Sequence, residues 1–149
     1  IYGTSDAGKS YHNSDRNFSK EMDRAAEKLS LKPHVCGSSK YRSVRLAAAA
    51  DIEGHRGFDE KFYLLDFSRT MPPVAPQTEK YYNGHLYYLF RREFVRANPK
   101  PLCSDAFSGF ISQDRNAKLH NKEVVEATQM LLTKTIPQYA RSIYQGASN

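Results

Sequence analysis

The sequence has no tryptophan and only two cysteines, Cys36 and Cys103, among its 149 residues. Small secreted scaffolds are dense in disulfides, so this low cysteine content indicates two reduced thiols in a reducing compartment. No apolar run approaches the roughly 20 residues of a bilayer-spanning helix, and the polar residues 1–20 do not form a signal segment. The sequence therefore predicts a cytoplasmic chain without membrane insertion. Because it opens at Ile1 without a methionine, we expect it to be a fragment of a longer protein.

The composition is that of a folded chain, with 40% hydrophobic and 26% charged residues. A length of 149 residues suits a single domain over residues 1–149. The formal net charge of +6 favours an acidic partner such as RNA, an acidic protein or an anionic membrane surface. Charge alone does not choose among these partners.

Apolar periodicity predicts three helices. The first covers residues 18–31 and is followed by Pro33, and the second covers residues 83–97. The third covers residues 120–145 and contains Pro137, which lacks a backbone donor and should kink or divide the helix. These helices account for most of the regular structure that the sequence predicts.

Between the first two helices, the sequence predicts a β-hairpin. Its arms are residues 44–50 and Phe62–Leu65, and Asp59 and Glu60 lie at or near the turn. Residues 34–43 are interpreted as a polar loop. A small antiparallel sheet packed by three main helices is an α+β fold.

The strongest motif is a P-loop pattern, G-x-x-x-x-G-K-[ST], made by Gly3, Gly8, Lys9 and Ser10. In a P-loop, backbone amides cradle phosphates, the lysine reaches the terminal phosphates and the hydroxyl binds magnesium. Asp66 ends an apolar run, as the aspartate of a magnesium-holding strand would. A nucleotide-binding or phosphotransfer enzyme is therefore one alternative.

The context of this motif argues against a nucleotide site. A P-loop needs a helix that begins at its lysine, yet residues 11–15 after Ser10 are rich in helix breakers. A second phosphotransfer alternative pairs Asp51 with Asp66 in a kinase-like order, but serine replaces the glycine of Asp-Phe-Gly. His34 and Cys36 have no partner pair at zinc-site spacing. The interpretation that we prefer has no catalytic residue, cofactor or metal.

Several segments resemble the clustered-mitochondria (Clu) family. Residues 51–59 followed by 62–73 are similar to the Clu stretch in which a glycine-containing hairpin leads to Leu-Asp, an arginine and two prolines. Residues 84–95 resemble the helix that follows, and residues 101–108 resemble a continuation seen in some members. Residues 1–9 look like the family's Gly-Ser-Asp-Gly entry segment. Residues 111–149 do not match the pattern, and Glu60-Lys61 stands where an aspartate-glycine turn is usual.

The resemblance implies a non-catalytic cytosolic scaffold or RNA-associated module. Members of the family are associated with mRNAs for mitochondrial proteins, with translation and with mitochondrial distribution, and some are named as translation initiation factor 3-associated. The implied partners are mRNA, ribosome-associated proteins and other domains of the same chain, and no DNA is expected. A purely structural role between domains is a second alternative.

The second predicted helix suggests where RNA would bind. If its apolar stripe faces the core, Tyr88, Arg92 and Arg96 lie on the opposite side at i, i+4 and i+8. An aromatic ring can stack on a base, and guanidinium groups can pair with phosphates. An ordinary solvated helix face has the same composition and is the other interpretation.

Overall fold

The computed structural model describes residues 1–39, 42–76 and 84–146. Small antiparallel sheets and helices confirm the α+β fold. In chain order the elements are strands β1 (Tyr2–Gly3) and β2 (His12–Asn13), helix α1 (Arg16–Leu29), strands β3 (His34–Ser39), β4 (Arg42–Leu46), β5 (Glu53–Arg56) and β6 (Phe62–Leu65), and helices α2 (Arg92–Ala97), α3 (Ala117–Met130) and α4 (Ile136–Gly146).

Helix α1 confirms the first predicted helix to within two residues at each end. Its first turn is capped by Asp15, whose carboxylate accepts the backbone N–H of Phe18 at 2.9 Å. Phe18, Met22 and Ala26 form the buried face. The helix ends at Ser30, which adopts the left-handed conformation with φ of 56°.

The main sheet has four strands in the order β2-β1-β5-β6, and its neighbours pair antiparallel. The hairpin β5–β6 confirms the predicted arm Phe62–Leu65 and the turn near Asp59 and Glu60. The predicted partner arm, residues 44–50, is wrong, because β6 pairs with β5 at Glu53–Arg56. Residues 47–50 are instead four buried alanines outside regular structure. Their small side chains fit a crowded interior and carry no strand alternation.

A second hairpin, β3–β4, corrects the predicted polar loop over residues 34–43. Cys36 and Val44 are register partners in this hairpin, and Cys36 is fully buried. A Cβ on Gly37 would lie 2.6 Å from the Cβ of Ser43, so the two strands approach too closely for a larger residue. The polar composition of β3 concealed a strand that pairs through its backbone.

The predicted helix over residues 83–97 is also corrected, for the described part from residue 84 onward. A short 3-10 turn spans Gly84–Leu86, and α2 covers only Arg92–Ala97. Between them the backbone is extended, because Phe90 donates its N–H to the carbonyl of Pro72 at 2.9 Å and Tyr88 accepts the N–H of Val74 at 2.7 Å. Pairing with this proline-containing segment therefore overrides the helical periodicity.

The long third helix runs from Ala117 to Gly146 and is divided near Pro137, as predicted. A π-helical turn at Leu131–Thr135 separates α3 from α4 just before the proline. The helix begins at Ala117, and Asn121 lies inside it, where its side-chain oxygen accepts the backbone N–H of Phe107 at 2.8 Å. The wider turn accommodates a proline whose ring would otherwise clash with a carbonyl of the preceding turn.

The core lies between the main sheet, α1, the alanine segment and α3. Its largest fully buried apolar side chains include Leu46, Val95, Leu102 and Val124. Lys32, just after α1, forms a partly buried ion pair with Glu123 on α3. Among the helices of the described residues, none is both long and apolar enough to cross a bilayer.

Candidate functional site

The P-loop-like segment is a turn closed by its own side chains. Thr4 accepts the backbone N–H of Gly8 at 3.0 Å. Asp6 accepts the backbone N–H of Ser10 at 2.9 Å and its hydroxyl at 2.7 Å. The hydrogen bond from the backbone N–H of Ser10 contributes most to lowering the pKa of Asp6 to about 2. The backbone N–H groups of Gly8, Lys9 and Ser10, which would face a phosphate, therefore already have acceptors within the turn.

The surroundings of this turn differ from those of a phosphate-binding loop. Helix α1 begins at Arg16 with Asp15 as its cap, so no helix starts at Lys9. A Cβ on Gly3 would lie 1.9 Å from the carbonyl oxygen of Ile52, so close packing on the neighbouring segment explains this glycine. Asp66 is exposed, and its carboxylate accepts the hydroxyl of Ser68 at 2.6 Å.

The kinase-like aspartates come to the same end of the β5–β6 hairpin. Asp51 lies two residues before β5, and Asp66 follows β6 directly. Their side chains have different partners, because Asp51 binds the guanidinium of Arg69 at 2.6 Å and Asp66 binds Ser68. Oδ2 of Asp51 thus forms an ion pair with Arg69, whose side chain is nearly buried.

The most concentrated polar chemistry lies around Asp105, which is fully buried. Its Oδ2 accepts the backbone N–H of Ala50 at 2.8 Å and lies 2.7 Å from Nε2 of His34. The thiol of Cys36 contacts the same oxygen at 3.5 Å, and Arg69 donates to Oδ1 at 2.9 Å. One carboxylate thus connects strand β3, the alanine segment, Arg69 in the segment after the β5–β6 hairpin, and its own loop.

The protonation states of this cluster follow from its contacts. Burial acts to lower the pKa of His34, but Cys103 and the hydrogen bond to Asp105 hold that pKa well above its usual 6.5. Burial acts to raise the pKa of Asp105, and the contacts of His34 and Arg69 instead lower it. An imidazolium and a guanidinium therefore face two carboxylates, those of Asp105 and Asp51, and the four charges cancel.

The thiol at this site is poorly suited to nucleophilic chemistry. Burial raises the pKa of Cys36 to about 12, so the thiol stays protonated at neutral pH. Cys36, His34 and Asp105 each bring one possible metal-ligand atom within 4.8 Å of the others. However, Oδ2 of Asp105 already accepts from Ala50, and the charge of Arg69 lies on the same carboxylate. These contacts favour a structural anchor over a metal centre.

Sequence reasoning missed most of this cluster. The sequence gives no strong signal for chemistry at His34 or Cys36, and Arg69 and Asp105 stand out only within the segments that resemble the family. The one local signal is the spacing of His34 and Cys36, which places both side chains on the same face of a strand. Nothing local indicates that Asp105, 71 residues later, would meet them.

The residues predicted to bind RNA are all exposed, although they do not lie on one helix. Arg92 and Arg96 are one turn apart on α2, and both are exposed. Tyr88 lies in the extended segment before α2, and its side chain is 57% exposed. Within residues 1–39, 42–76 and 84–146, no acidic side chain forms an ion pair with either arginine. Val95 is fully buried and anchors α2 to the core.

An apolar groove of about 900 Å³ lies between α2 and the junction of α3 with α4. Its apolar walls include Phe90, Phe94, Leu131 and Ile136, and Arg91 lies on its lining. The face of α2 that carries Phe94 forms part of this groove and is therefore also accessible. It does not contain Arg92 or Arg96.

Comparisons with known proteins agree with the resemblance in the sequence. No solved structure matches the chain. Proteins named "Clustered mitochondria protein homolog" are 34% identical over 76 residues in Caenorhabditis elegans, 33% over 75 residues in Brugia malayi and 29% over 73 residues in Aedes aegypti. Each match covers 49% of this chain but only 5% or 6% of the relative, so the chain corresponds to a small part of these proteins. The family model described as "Clustered mitochondria" matches residues 1–75, which is half of the chain, and the chain therefore belongs to the clustered-mitochondria (Clu) family.

Proposed function

We propose that this chain is a non-catalytic module of a cytoplasmic Clu protein and that it binds single-stranded RNA through Tyr88, Arg92 and Arg96. The observation that carries the proposal is the exposure of two arginines, one helical turn apart and without acidic partners among the described residues, together with an exposed tyrosine four residues before the first of them. Guanidinium groups pair with phosphates, and a tyrosine ring stacks on a base of any identity.

The charge of the chain supports this assignment. A net charge of +6 attracts a polyanion over a distance of about one Debye length, roughly 8–10 Å at physiological salt. The buried face of α2 holds the arginines in place without using their side chains, because Val95 supplies the anchor. The natural partners would be mRNA or ribosome-associated proteins, together with other domains of the same chain.

The relatives are named for clustered mitochondria, and we extend that role to the protein that contains this chain. A module that binds RNA and has no catalytic group would act as a scaffold. Its contribution to mitochondrial distribution would then be to hold a transcript or a ribosome-associated protein in position.

The test is fluorescence anisotropy with a labelled single-stranded oligouridine. We expect weak, salt-sensitive binding, and the double substitution R92E and R96E should abolish most of it. Loss of two phosphate contacts should flatten the log–log salt slope by about 1.4. Replacing Tyr88 with alanine should weaken binding by about 1–3 kcal/mol, whereas phenylalanine keeps the stacking ring and should retain affinity.

A matched control makes the same charge change elsewhere. Lys20 and Arg24 are exposed and also one turn apart, on α1, so K20E with R24E alters the net charge equally. If this control weakens binding as much as R92E with R96E does, RNA senses only the net charge and the assigned surface is wrong. Unchanged affinity and salt slope in R92E with R96E would refute it as well.

A further inference from the structure

Helix α4 has an apolar face that no described residue covers. None of its eleven residues is buried. Ile136, Tyr139 and Ile143 follow one another at intervals of three and four residues, and each side chain is at least half exposed. A helix this short is marginal in water unless an apolar face is packed against something else. The pattern of α4 therefore indicates a helix whose apolar face is used for contact.

This apolar face continues into the groove between α2 and the junction of α3 with α4. Ile136 and Tyr139 line the groove on the α4 side. Phe90 and Phe94 line it on the α2 side, with their ring centroids 4.9 Å apart. Along the helix the lining extends from Met130 to Tyr139, which is about 14 Å at 1.5 Å per residue. A long, open and apolar groove of this kind suits the apolar face of a helix.

The charges at the groove select the kind of helix that fits. Arg91 lines the α2 side and Lys134, in the π-helical turn, lines the other, while Glu93 is the one acidic residue of the lining. Among residues 1–39, 42–76 and 84–146, none of these three side chains forms an ion pair. The lining thus has two cations against one carboxylate, and its net charge is positive. An occupant with carboxylates beside its apolar face would complement it.

The same charges argue against a second copy of this chain as the occupant. The only charged residue of α4 is Arg141. If α4 of one copy entered the groove of another, it would bring a further cation toward Arg91 and Lys134. A lipid surface could meet the exposed face of α4, but a flat surface would not fill a groove between two helices.

We propose that this groove, together with the apolar face of α4, binds an acidic amphipathic helix of a partner protein. The apolar residues of that helix lie between Phe94 and Ile136, and its flanking carboxylates pair with Arg91 and Lys134. The site is distinct from the residues assigned to RNA, because neither Arg92 nor Arg96 lines the groove.

A peptide selection identifies the chemistry of the occupant. The target is the immobilised whole chain, and the probe is a phage-displayed library of random peptides of about 20 residues, which are long enough as helices to span the groove. We expect the enriched peptides to repeat apolar residues at i, i+3 or i+4, and i+7, and to contain more Asp and Glu than Lys and Arg. They should gain helical circular dichroism on binding. No enrichment, or enrichment of basic or non-helical peptides, overturns the proposal.

Fluorescence anisotropy with the most enriched peptide locates its site. Ile136→Glu puts a charge in the groove and should raise the dissociation constant about tenfold or more. Leu119→Glu is the matched control, because Leu119 is 48% exposed on α3, against 50% for Ile136, and does not line the groove. If Ile136→Glu does not fold, Tyr139→Glu makes the same test at a more exposed position. Wild-type affinity in the folded groove variant overturns the proposal.

Charge substitutions test the complementarity. Lys134→Glu should weaken binding of the acidic peptide about two- to tenfold, and Glu93→Lys should strengthen it by a similar factor. Both effects should shrink at about 1 M salt, where the Debye length is about 3 Å. Lys118→Glu makes the same change of charge on an exposed residue of α3 outside the groove and should have little effect. A loss in Lys118→Glu equal to that in Lys134→Glu overturns the proposal, because the peptide would then sense only the net charge.

Two further measurements distinguish other occupants. One is flotation with vesicles that contain phosphatidylserine, and the other is sedimentation equilibrium of the chain alone. We expect neither vesicle binding nor a dimer that depends on Ile136. Vesicle binding that Ile136→Glu abolishes would assign the groove to a membrane, and a dimer that this substitution dissociates would assign it to a second copy. Either result overturns the proposal.

Discussion

Replacing Asp105 with asparagine tests how strongly the buried network stabilises the fold. The substitution keeps the size of the side chain but removes the charge that faces Arg69 and His34. It also turns an acceptor into a donor, so at least one of the groups now bonded to this residue meets another donor. Removing one partner of a buried ion pair costs about 3–5 kcal/mol. For a chain of this length we therefore expect the melting temperature to fall by about 6–20 °C.

Urea titration and thermal melting would measure this change. Asp66→Asn is the matched control, because Asp66 is exposed, its carboxylate contacts Ser68, and its φ of 57° suits asparagine. The control should change stability by no more than about 0.5 kcal/mol. A loss below about 1 kcal/mol in D105N would refute the idea that the network anchors the fold. If D105N does not fold, Arg69→Lys keeps the charge but loses the forked geometry, and it should show a smaller, measurable loss.

Four other perturbations, of His34, Gly54, Asp15 and the P-loop-like turn, have expected outcomes that denaturation can measure. Stability should fall as pH rises from 6.5 through the raised pKa of His34, because the folded state holds a proton that the unfolded state releases, and urea titrations of His34→Gln should not show this slope. Gly54→Ala should destabilise the chain by about 1–3 kcal/mol in denaturant, since its Cβ would lie 2.4 Å from the ring of Phe18. Asp15→Ala should cost about 1 kcal/mol by loss of the α1 cap. ATP with magnesium should leave the melting temperature unchanged, whereas a ligand at 100 times its dissociation constant would add about 2.7 kcal/mol; a stabilisation lost in Lys9→Ala would contradict this prediction.

The sequence predicts an element well when the cap, the apolar pattern and the terminating residue all lie within that one segment. Helix α1 has its cap, its apolar stripe and its terminating proline within one segment, and its bounds were predicted closely. Strand β6 is a compact aromatic and aliphatic run after a polar turn, and it was also predicted. The turn itself contains Glu60 with φ of 65°, a conformation usual for glycine. Ion pairing with Arg56 accompanies this unusual residue.

The elements that were missed depend on contacts between distant segments. Strand β3 is polar and contains glycine, yet it pairs with β4 from His34 to Ser39, with a register shift between Gly37 and Ser39. The segment before α2 has helical periodicity, yet its backbone bonds to Pro72 and Val74 instead. Neither partner can be identified from a single sequence, because pairing between segments leaves no period in either one.

The buried cluster was unpredictable for a related reason. Because charged residues are usually exposed, the sequence predicts Asp105 to be an exposed loop residue. The structure shows instead that it is fully buried. Arg69 stands out in the sequence only as the arginine of the segment that resembles the Clu family, and that resemblance does not indicate its contact with Asp51. By contrast, Arg92 and Arg96 are exposed on the short helix α2, although the longer helix whose apolar stripe was used to place them does not form.

The π-helical turn before Pro137 makes α3 and α4 two separate units. α3 is fixed by buried residues such as Val124 and Thr128, whereas α4 has no buried residue. Because the proline removes one rung of the hydrogen-bond ladder, unwinding that starts in α4 has a natural stop at this joint. The last eleven helical residues can therefore melt and re-form, or change direction, while the core stays intact.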